Sequence, residues 1–499
     1  MGFTRDQRKA FNAMKDGKNV FLTGEAGTGK SFVTNEFVKW CEDNKKNVLI
    51  TAPTGIAAIN VKGVTLHKAF GIRSTGPLIE DPLTVPKVVK NADIIIIDEI
   101  SMCRVDLFDY VAKTIIKAEE VKFDKVKGVV KAKPKQVIVI GDFFQLPPVV
   151  VGDELKILNT KYQSEKFYAF ESQYWKDFGF ENVCLKKVVR QKDKAFVAQL
   201  NLARVGNAQC IQYFNARVDT PQDDGITLCS KNKDVDTMNY NKLSQLTTPT
   251  KRYFAEYKKD FKPQDCLADK ELRLKVGARV MSLINDTDGM YQNGSLGTVV
   301  ALEPDYVEVE FDNGNTCGIE EHTWEKYSYE LKDKTDKEGK CEYDHKNKPV
   351  QVLHKKVVGT CKQIPLKLAY AMSIHKSQGQ TFDKVNVKPL VFDDGQLYVA
   401  LSRVTTLEGL VLLNKIQSER LMCSKDVIKF YSTFCDMDCA EAVLKQEQVC
   451  VLFTPEHKVM GFFPNEKQAR NALIEAGVTN ANQYTYQIMP YGQLLRPLK

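Results

Sequence analysis

Short aliphatic runs punctuate the first part of the chain: Lys18–Thr23 (KNVFLT), Asn47–Thr51 (NVLIT), Ala92–Ile97 (ADIIII) and Gln136–Ile140 (QVIVI). A strand with one face in water alternates apolar and polar residues. These runs do not, so they predict strands covered on both faces, as in a parallel sheet. Helix-like stretches such as Ser31–Asn44 lie between them. Strands alternating with helices predict a doubly wound α/β domain.

The second half repeats the theme. Gly225–Cys229, Lys384–Val387, Leu397–Leu401 and Gly409–Leu413 read as strands of a second such domain. Between them, Val276–Gly318 has short strand-like pieces broken at Asp288-Gly289, Asn293-Gly294 and Asn313-Gly314. Asx-Gly pairs favour the left-handed backbone of tight hairpins, so this stretch predicts a small all-β insert. The charged segment Lys332–Lys348 is expected to be a mobile surface loop. A tail after about Asp436 carries a βαβ-like pattern: Gln448–Phe453, Glu466–Ala476 and Gln483–Met489.

Composition narrows the class without naming it. The chain has 499 residues, 43% hydrophobic and 27% charged, which suits several globular cores. No apolar run approaches the ~20 residues that span a bilayer. The start, MGFTRDQRKAF, has no apolar signal core, and Asp6 stands where N-myristoylation needs Ser or Thr. A cytoplasmic protein is expected, or a nuclear one if the source is eukaryotic or viral. The 13 cysteines include no CxxC pair and predict reduced, mostly buried thiols. Cys435, Cys439, Cys450 and His457 match no standard zinc spacing, and free thiols are the expectation there. A net charge of +8 permits nucleic-acid binding but does not demand it.

The chemistry is concentrated at strand ends. Gly24-Glu25-Ala26-Gly27-Thr28-Gly29-Lys30-Ser31 is a complete GxxxxGKS phosphate loop between a strand and a helix. Its glycines let backbone N–H groups face a phosphate, and the helix N-terminus adds positive potential. Lys30 is expected on the β- and γ-phosphates and Ser31 on Mg2+. Asp98-Glu99 ends a buried run: Asp98 is placed to hold the Mg2+ shell, and Glu99 to polarise a water. Gln145, in Gly141-Asp142-Phe143-Phe144-Gln145, is placed to sense the γ-phosphate or that water.

Through these residues and the motifs around them, the sequence resembles the PIF-type, RecD-like DNA helicases of superfamily 1B, which move 5′ to 3′. The resemblance runs from about Phe3 to Leu413. Thr4-Arg5-Asp6-Gln7 resembles the Q motif, implying that Gln7 reads adenine. Thr51 to Ala58, with Pro53, Thr54 and Gly55, resembles motif Ia, and Gly63 to His67 motif Ib; both imply DNA contact. Asp98 to Met102 and Gly141 to Val149 resemble motifs II and III. Val189-Arg190-Gln191 resembles motif IV. Ser373 to Thr381, with His375, Gln378 and Gly379, resembles motif V, and Tyr398 to Arg403 motif VI.

The family implies the rest. Gln7, Gly24, Gly27, Thr28, Gly29, Lys30, Ser31, Gln378 and Gly379 would hold nucleotide, and Ser31 and Asp98 Mg2+. Lys30, Glu99, Gln145, Arg190 and Arg403 would be catalytic. Pro53, Thr54, Gly55, His67, Ser373 and His375 would touch single-stranded DNA, on the face away from the nucleotide. The implied layout is two RecA-like P-loop domains in tandem, 1–185 and 186–264 with 363–434. An SH3-like insert would fill 265–362, and a C-terminal α+β extension 435–499. A wedge is expected at about 64–88, and the substrate would be tailed or forked duplex DNA. A monomer is expected because both arginines are supplied in cis, and replication or repair partners would engage the extension. An RNA helicase of the same superfamily, or an ATP-dependent DNA clamp without unwinding, stays open at this point.

Overall fold

The computed structural model describes residues 2–435 apart from 75, 120–121, 125–127, 131–133, 151, 165, 336–340 and 344–348, and beyond 435 three strand segments. All four early runs form strands. The first sheet is parallel, in the order Val64–Thr65, Val48–Ala52, Ile94–Ile97, Gln136–Ile140, Val20–Gly24, Glu181–Leu185. Alternate side chains feed two cores. Val20, Leu22, Ile94, Ile96, Ile138 and Ile140 pack with Ala10 and Met14 of helix Arg5–Lys15 and Val33 and Phe37 of helix Lys30–Asp43. Phe21, Ile95, Ile97, Val137 and Val139 pack on the other face with Leu107, Phe108 and Val111 of helix Val105–Glu119. Burial on both faces explains why these strands lack polar alternation.

The second sheet is also parallel, in the order Ala371–Ser373, Ile226–Cys229, Val385–Val387, Leu410–Leu412. One expected strand is a helix: Leu397–Leu401 lies within helix Gln396–Leu401, whose residues are all buried. A helix buried all round has no polar stripe, so a run this short cannot be told from a buried strand by its pattern. The deciding residue is Gly395, left-handed at φ 69°, which starts the helix.

The insert is antiparallel: Thr316–Glu320, Tyr306–Phe311, Leu296–Leu302, Arg279–Ser282 and Leu366–Leu368 form one sheet. Asn313-Gly314 makes the predicted hairpin turn, with Gly314 at φ 86°. The expected limits of 265 and 362 are too narrow. Leu366–Leu368 pairs inside the insert, and Lys251–Phe254 and Glu256–Lys259 pair with Glu271–Leu274 and Gln351–Gln363. A long hairpin, His322–Asp333 with Gln351–Gln363, extends toward the first domain. There Tyr327, Tyr329 and Leu353 pack on the core that holds Phe21 and Phe108, and Asn47 Oδ1 accepts from Leu353 N–H at 3.2 Å. The charged segment begins inside this strand. Its residues 336–340 and 344–348 lie outside the described residues.

The chain then returns to the first domain. Helix Lys425–Ser432, expected within the second domain, places Val427, Ile428 and Tyr431 in the core under the first sheet. Its apolar face fits the ring cluster of Phe21, Phe143 and Trp175, a match no local pattern announces. In the tail, Gln448–Phe453 and Thr485–Pro490 are strands, as expected of the two runs there. They pair antiparallel, with Val459–Phe463 on the other edge, so the βαβ-like reading is corrected. Glu466–Ala476, Cys439 and His457 lie outside the described residues.

Candidate active site

In a parallel sheet every strand delivers its C-terminal end to one edge, where crevices for ligands form. The P-loop follows Val20–Gly24, Asp98-Glu99 follows Ile94–Ile97, Gly141 to Gln145 follows Gln136–Ile140, and Arg190 follows Glu181–Leu185. The loop is tightly packed. A Cβ on Gly27 would lie 2.5 Å from Arg190 Cβ, and one on Gly29 2.7 Å from Gln7 Nε2, so both positions need glycine for space and for their positive φ. Lys30 Nζ donates to the carbonyls of Gly24 (2.8 Å) and Glu25 (3.1 Å), and Thr28 Oγ1 also donates to Glu25 O, at 2.9 Å. Ser31 is exposed in the first turn of the helix.

Gln7 is committed within the protein. Its Oε1 accepts from Thr4 N–H at 2.9 Å in a capping box, and its Nε2 donates to Thr28 O at 3.1 Å. The amide therefore ties the first helix to the phosphate loop.

Charge is held here at an electrostatic cost. Glu99 sits at φ 50°, left-handed for a residue with a Cβ, a strain of about 1 kcal/mol or more. Asp98 Oδ1 accepts Glu99 N–H at 2.9 Å. Burial, then the neighbouring Asp98, pushes the Glu99 carboxyl up to about 7. Burial pushes Lys30 down, while Asp142 and Glu99 oppose the shift. The second domain reaches across. Gln378 Nε2 donates to Glu99 Oε2 at 3.1 Å and to Gln145 Oε1 at 3.3 Å, so one amide bridges both expected catalytic groups. Gly379 turns the chain behind it at φ 79°.

Arg190 and Arg403 both reach Ser402, Arg403 Nη2 donating to its Oγ at 2.9 Å. Arg190 Nη1 donates to Ser402 O at 3.1 Å. Arg403 is 1% exposed and donates to the carbonyls of Val399 (2.8 Å) and Gln380 (3.2 Å). Among the described residues neither forms an ion pair. Burial, then Arg190, lowers Arg403 to about 9, and burial lowers Arg190. Two desolvated guanidinium groups without carboxylate partners make a strong seat for an anion.

Four of the expected DNA residues lie at the carboxyl edge of the first sheet, displaced along it from the P-loop. Pro53, Thr54 and Gly55 follow Val48–Ala52, and His67 follows Val64–Thr65. Thr54 Oγ1 caps helix Gly55–Asn60 by accepting Ala57 N–H at 3.2 Å. Burial lowers both His67 and His375, which favours neutral rings. In the second domain Ser373 and His375 line a cavity of about 450 Å3 with Ser230, Lys231, Asn232, Lys376 and Phe392. Among the described residues Ser373 Oγ is buried there without a hydrogen-bond partner.

Three residues around the loop escape sequence reasoning. Tyr398 Oη accepts Ala26 N–H at 3.1 Å. Arg204 forms a buried ion pair with Asp142 at 2.7 Å. Tyr431 Oη lies 2.6 Å from Thr23 Oγ1, directly before the loop. Tyr398 stood within motif VI, but no spacing linked Arg204 or Tyr431 to the site.

Residues 2–208 match the family model of the PIF1-like helicases. The chain is 32% identical over 470 residues to the ATP-dependent DNA helicase Pif1 of Campylobacter jejuni, covering 85% of this chain and 97% of that one. The chain belongs to the PIF1-like helicases. The Danio rerio PIF1 helicase is 34% identical over 456 residues, 86% of this chain but 63% of the longer fish protein. The crystal structure of Bacteroides sp Pif1 with ADP-AlF4 aligns at a TM-score of 0.74 and 36% identity, covering 87% of this chain and 97% of that one. The same helicase bound to ssDNA aligns at 0.58 and 35%, with the same coverage. As a PIF1-like helicase the chain is an ATP-hydrolysing DNA helicase, built from two RecA-like domains with a β insert. Among the described residues no helix is long and apolar enough to cross a membrane.

Proposed function

We propose that this helicase moves 5′ to 3′ on single-stranded DNA and opens tailed or forked duplexes, each ATP closing the cleft between its domains. The observation that carries this reading is the pairing of Arg190 and Arg403 at the P-loop, without carboxylate partners among the described residues. ATP phosphates supply the missing charge, so binding draws the second domain onto the first. Lys30 steadies the β- and γ-phosphates, Gln145 orients water, and Glu99 takes its proton. The arginines stabilise charge spread over the transferred phosphoryl group. Loss of phosphate weakens the clamp, and the cleft reopens.

Mg2+ fits the donors present. It prefers one or two protein oxygens plus substrate phosphates and water. The exposed Ser31 hydroxyl and the Asp98 carboxylate supply such a pair, and among the described residues no cluster of three ligands competes. Bound there, the ion would neutralise phosphate charge.

Pro53, Thr54, Gly55 and His67 on one domain and Ser373 and His375 on the other provide two grips on DNA. Alternating grip turns each closure into a step, and contacts to backbone rather than base suit travel over any sequence. The segment at about 64–88, with Leu83 88% exposed, is the proposed strand-separating wedge. The mechanical units are 1–185 with 425–432, and the second sheet with its insert, acting as a monomer. Replication and repair are the proposed settings, with partners engaging 435–499. Solved relatives include Pif1 bound to ssDNA and two Pif1 helicases coordinating at forked dsDNA.

The test is ATP-dependent unwinding of two duplexes, one with a 5′ tail and one with a 3′ tail. Opening of the 5′-tailed duplex alone is expected. Opening of the 3′-tailed duplex alone would overturn the polarity. ATPase activity with neither opened would leave a clamp.

A further inference from the structure

Arg204 ends helix Lys194–Arg204, whose Phe196, Leu200 and Ala203 lie in the second domain's core. Its guanidinium crosses to the first domain. Nη2 donates to Asp142 Oδ1 at 2.7 Å and Nε to Oδ2 at 3.3 Å, a two-point pair. The guanidinium carbon stands 4.0 Å from the Phe144 ring centre and 5.4 Å from that of Tyr431. Both charged groups are buried, Arg204 6% exposed and Asp142 1%. Such a pair is poor value for stability alone, since desolvating two ions offsets most of their attraction.

Its location is informative. Asp142 opens the turn that presents Gln145: Asp142 O accepts Gln145 N–H at 2.9 Å, and Asp142 Oδ1 accepts Phe144 N–H at 3.2 Å. The second domain grips the same turn twice more. Gln378 donates to Gln145 Oε1, and a Cβ on Gly395 would come within 2.5 Å of the carbonyls of Phe144 and Gln145. Tyr431 Oη accepts Phe143 N–H at 3.2 Å and reaches Thr23, joining the turn to the root of the P-loop.

We propose that Arg204 is a positioning residue of the ATPase: by holding Asp142 it sets the turn that places Gln145, and so couples second-domain movement to the attacking water. This rests on the reading of Gln145 given above. Arg204 touches no reacting atom; its effect passes through Asp142 and the turn. Lysine keeps the charge but loses the planar two-point fit and the stacking on Phe144.

The test compares Arg204→Lys, Arg204→Gln, Asp142→Asn, the double variant Asp142→Asn/Arg204→Gln, and Gln145→Ala, with the double variant read against Arg204→Gln and Asp142→Asn. The readouts are thermal unfolding, fluorescent-ADP binding, and kcat and KM for ATP with and without single-stranded DNA. A single variant can leave a buried charge unpaired and fail to fold, whereas the double variant removes both charges and keeps an amide pair. The expected result is an ssDNA-stimulated kcat lowered about tenfold or more in folded Arg204→Lys, with KM for ATP and ADP affinity within about threefold of the parent. The double variant should lose no more than the worse single one, as expected of two groups acting as one unit. A merely structural role would lower the unfolding temperature and leave kcat of the folded protein unchanged, overturning the proposal. So would losses in the double variant that equal the product of the single ones. If Gln145→Ala leaves kcat intact, the reading of Gln145 falls and this inference with it. If Gln145→Ala is slow while folded Arg204→Lys is not, this inference alone falls.

Discussion

In the role proposed for Glu99, burial would set both activity and stability. Its carboxyl is pushed from an ordinary value of 4.5 up to about 7 by burial and by Asp98. To accept a proton from water it must be ionised. Because kcat/KM reports the free enzyme, kcat/KM for ATP is expected to fall as pH drops below about 7, checked by a steady-state pH profile. The sign for stability is opposite. The folded state binds this proton more tightly than the unfolded chain, so its contribution is fully present below pH 4.5 and lost as pH rises through about 7. Glu99→Gln should therefore unfold at a higher temperature than the parent at pH 8 while losing hydrolysis; a lower temperature would count against the buried charge. The arginines separate binding from turnover in the same way. Arg190→Ala should keep nucleotide affinity within about tenfold and lower kcat by ~10³, whereas Lys30→Ala should abolish hydrolysis and unwinding together. Near-normal turnover in Arg190→Ala would remove it from the site.

At the scale of elements, helix Lys425–Ser432 carries more than its length suggests. It lies beyond the last motif of the resemblance, yet Val427, Ile428 and Tyr431 are at most 1% exposed. Each such side chain contributes about 1.5–3 kcal/mol by burial. A chain ending at Arg420 keeps every motif but is expected to unfold many degrees earlier and to lose ATPase activity. One ending at Cys435 should keep both. Circular dichroism melting with an ATPase assay checks this, and an active, stable shorter chain would refute the assigned role. Leu397–Leu401 makes the complementary point: an apolar run names burial, and Gly395 together with the neighbouring sheet decides helix over strand.

At the scale of the molecule, the site belongs to neither domain alone. The first sheet brings the P-loop, Asp98-Glu99, Gln145 and Arg190 to one edge, and the second domain adds Gln378, Arg403 and Arg204. A ligand held by both sides converts its own charge into domain closure. Directional movement belongs to this scale. Unwinding of a 5′-tailed duplex should exceed that of a 3′-tailed one by about tenfold or more, since stepping in one direction engages only one of the two junctions.

The sequence determined the parts whose chemistry is local. A glycine-rich loop needs its glycines in order, and buried parallel strands need unbroken aliphatic runs. Gly24 to Ser31, Asp98, Glu99 and Gln145 were legible for that reason, and the ordered motifs carried Arg190, Arg403, Gln378 and the candidate DNA residues through resemblance. Tertiary structure alone decided what depends on distant partners. It made Leu397–Leu401 a helix, widened the insert through strand pairing, and moved Lys425–Ser432 back to the first domain. It also joined Arg204 to Asp142 and Tyr431 to Thr23. Sequence spacing reports period and local backbone geometry. The pairing of a buried charge with a group 62 residues away, or of a ring hydroxyl with one 408 residues away, is set only when the sheets pack, because only then is water excluded from both.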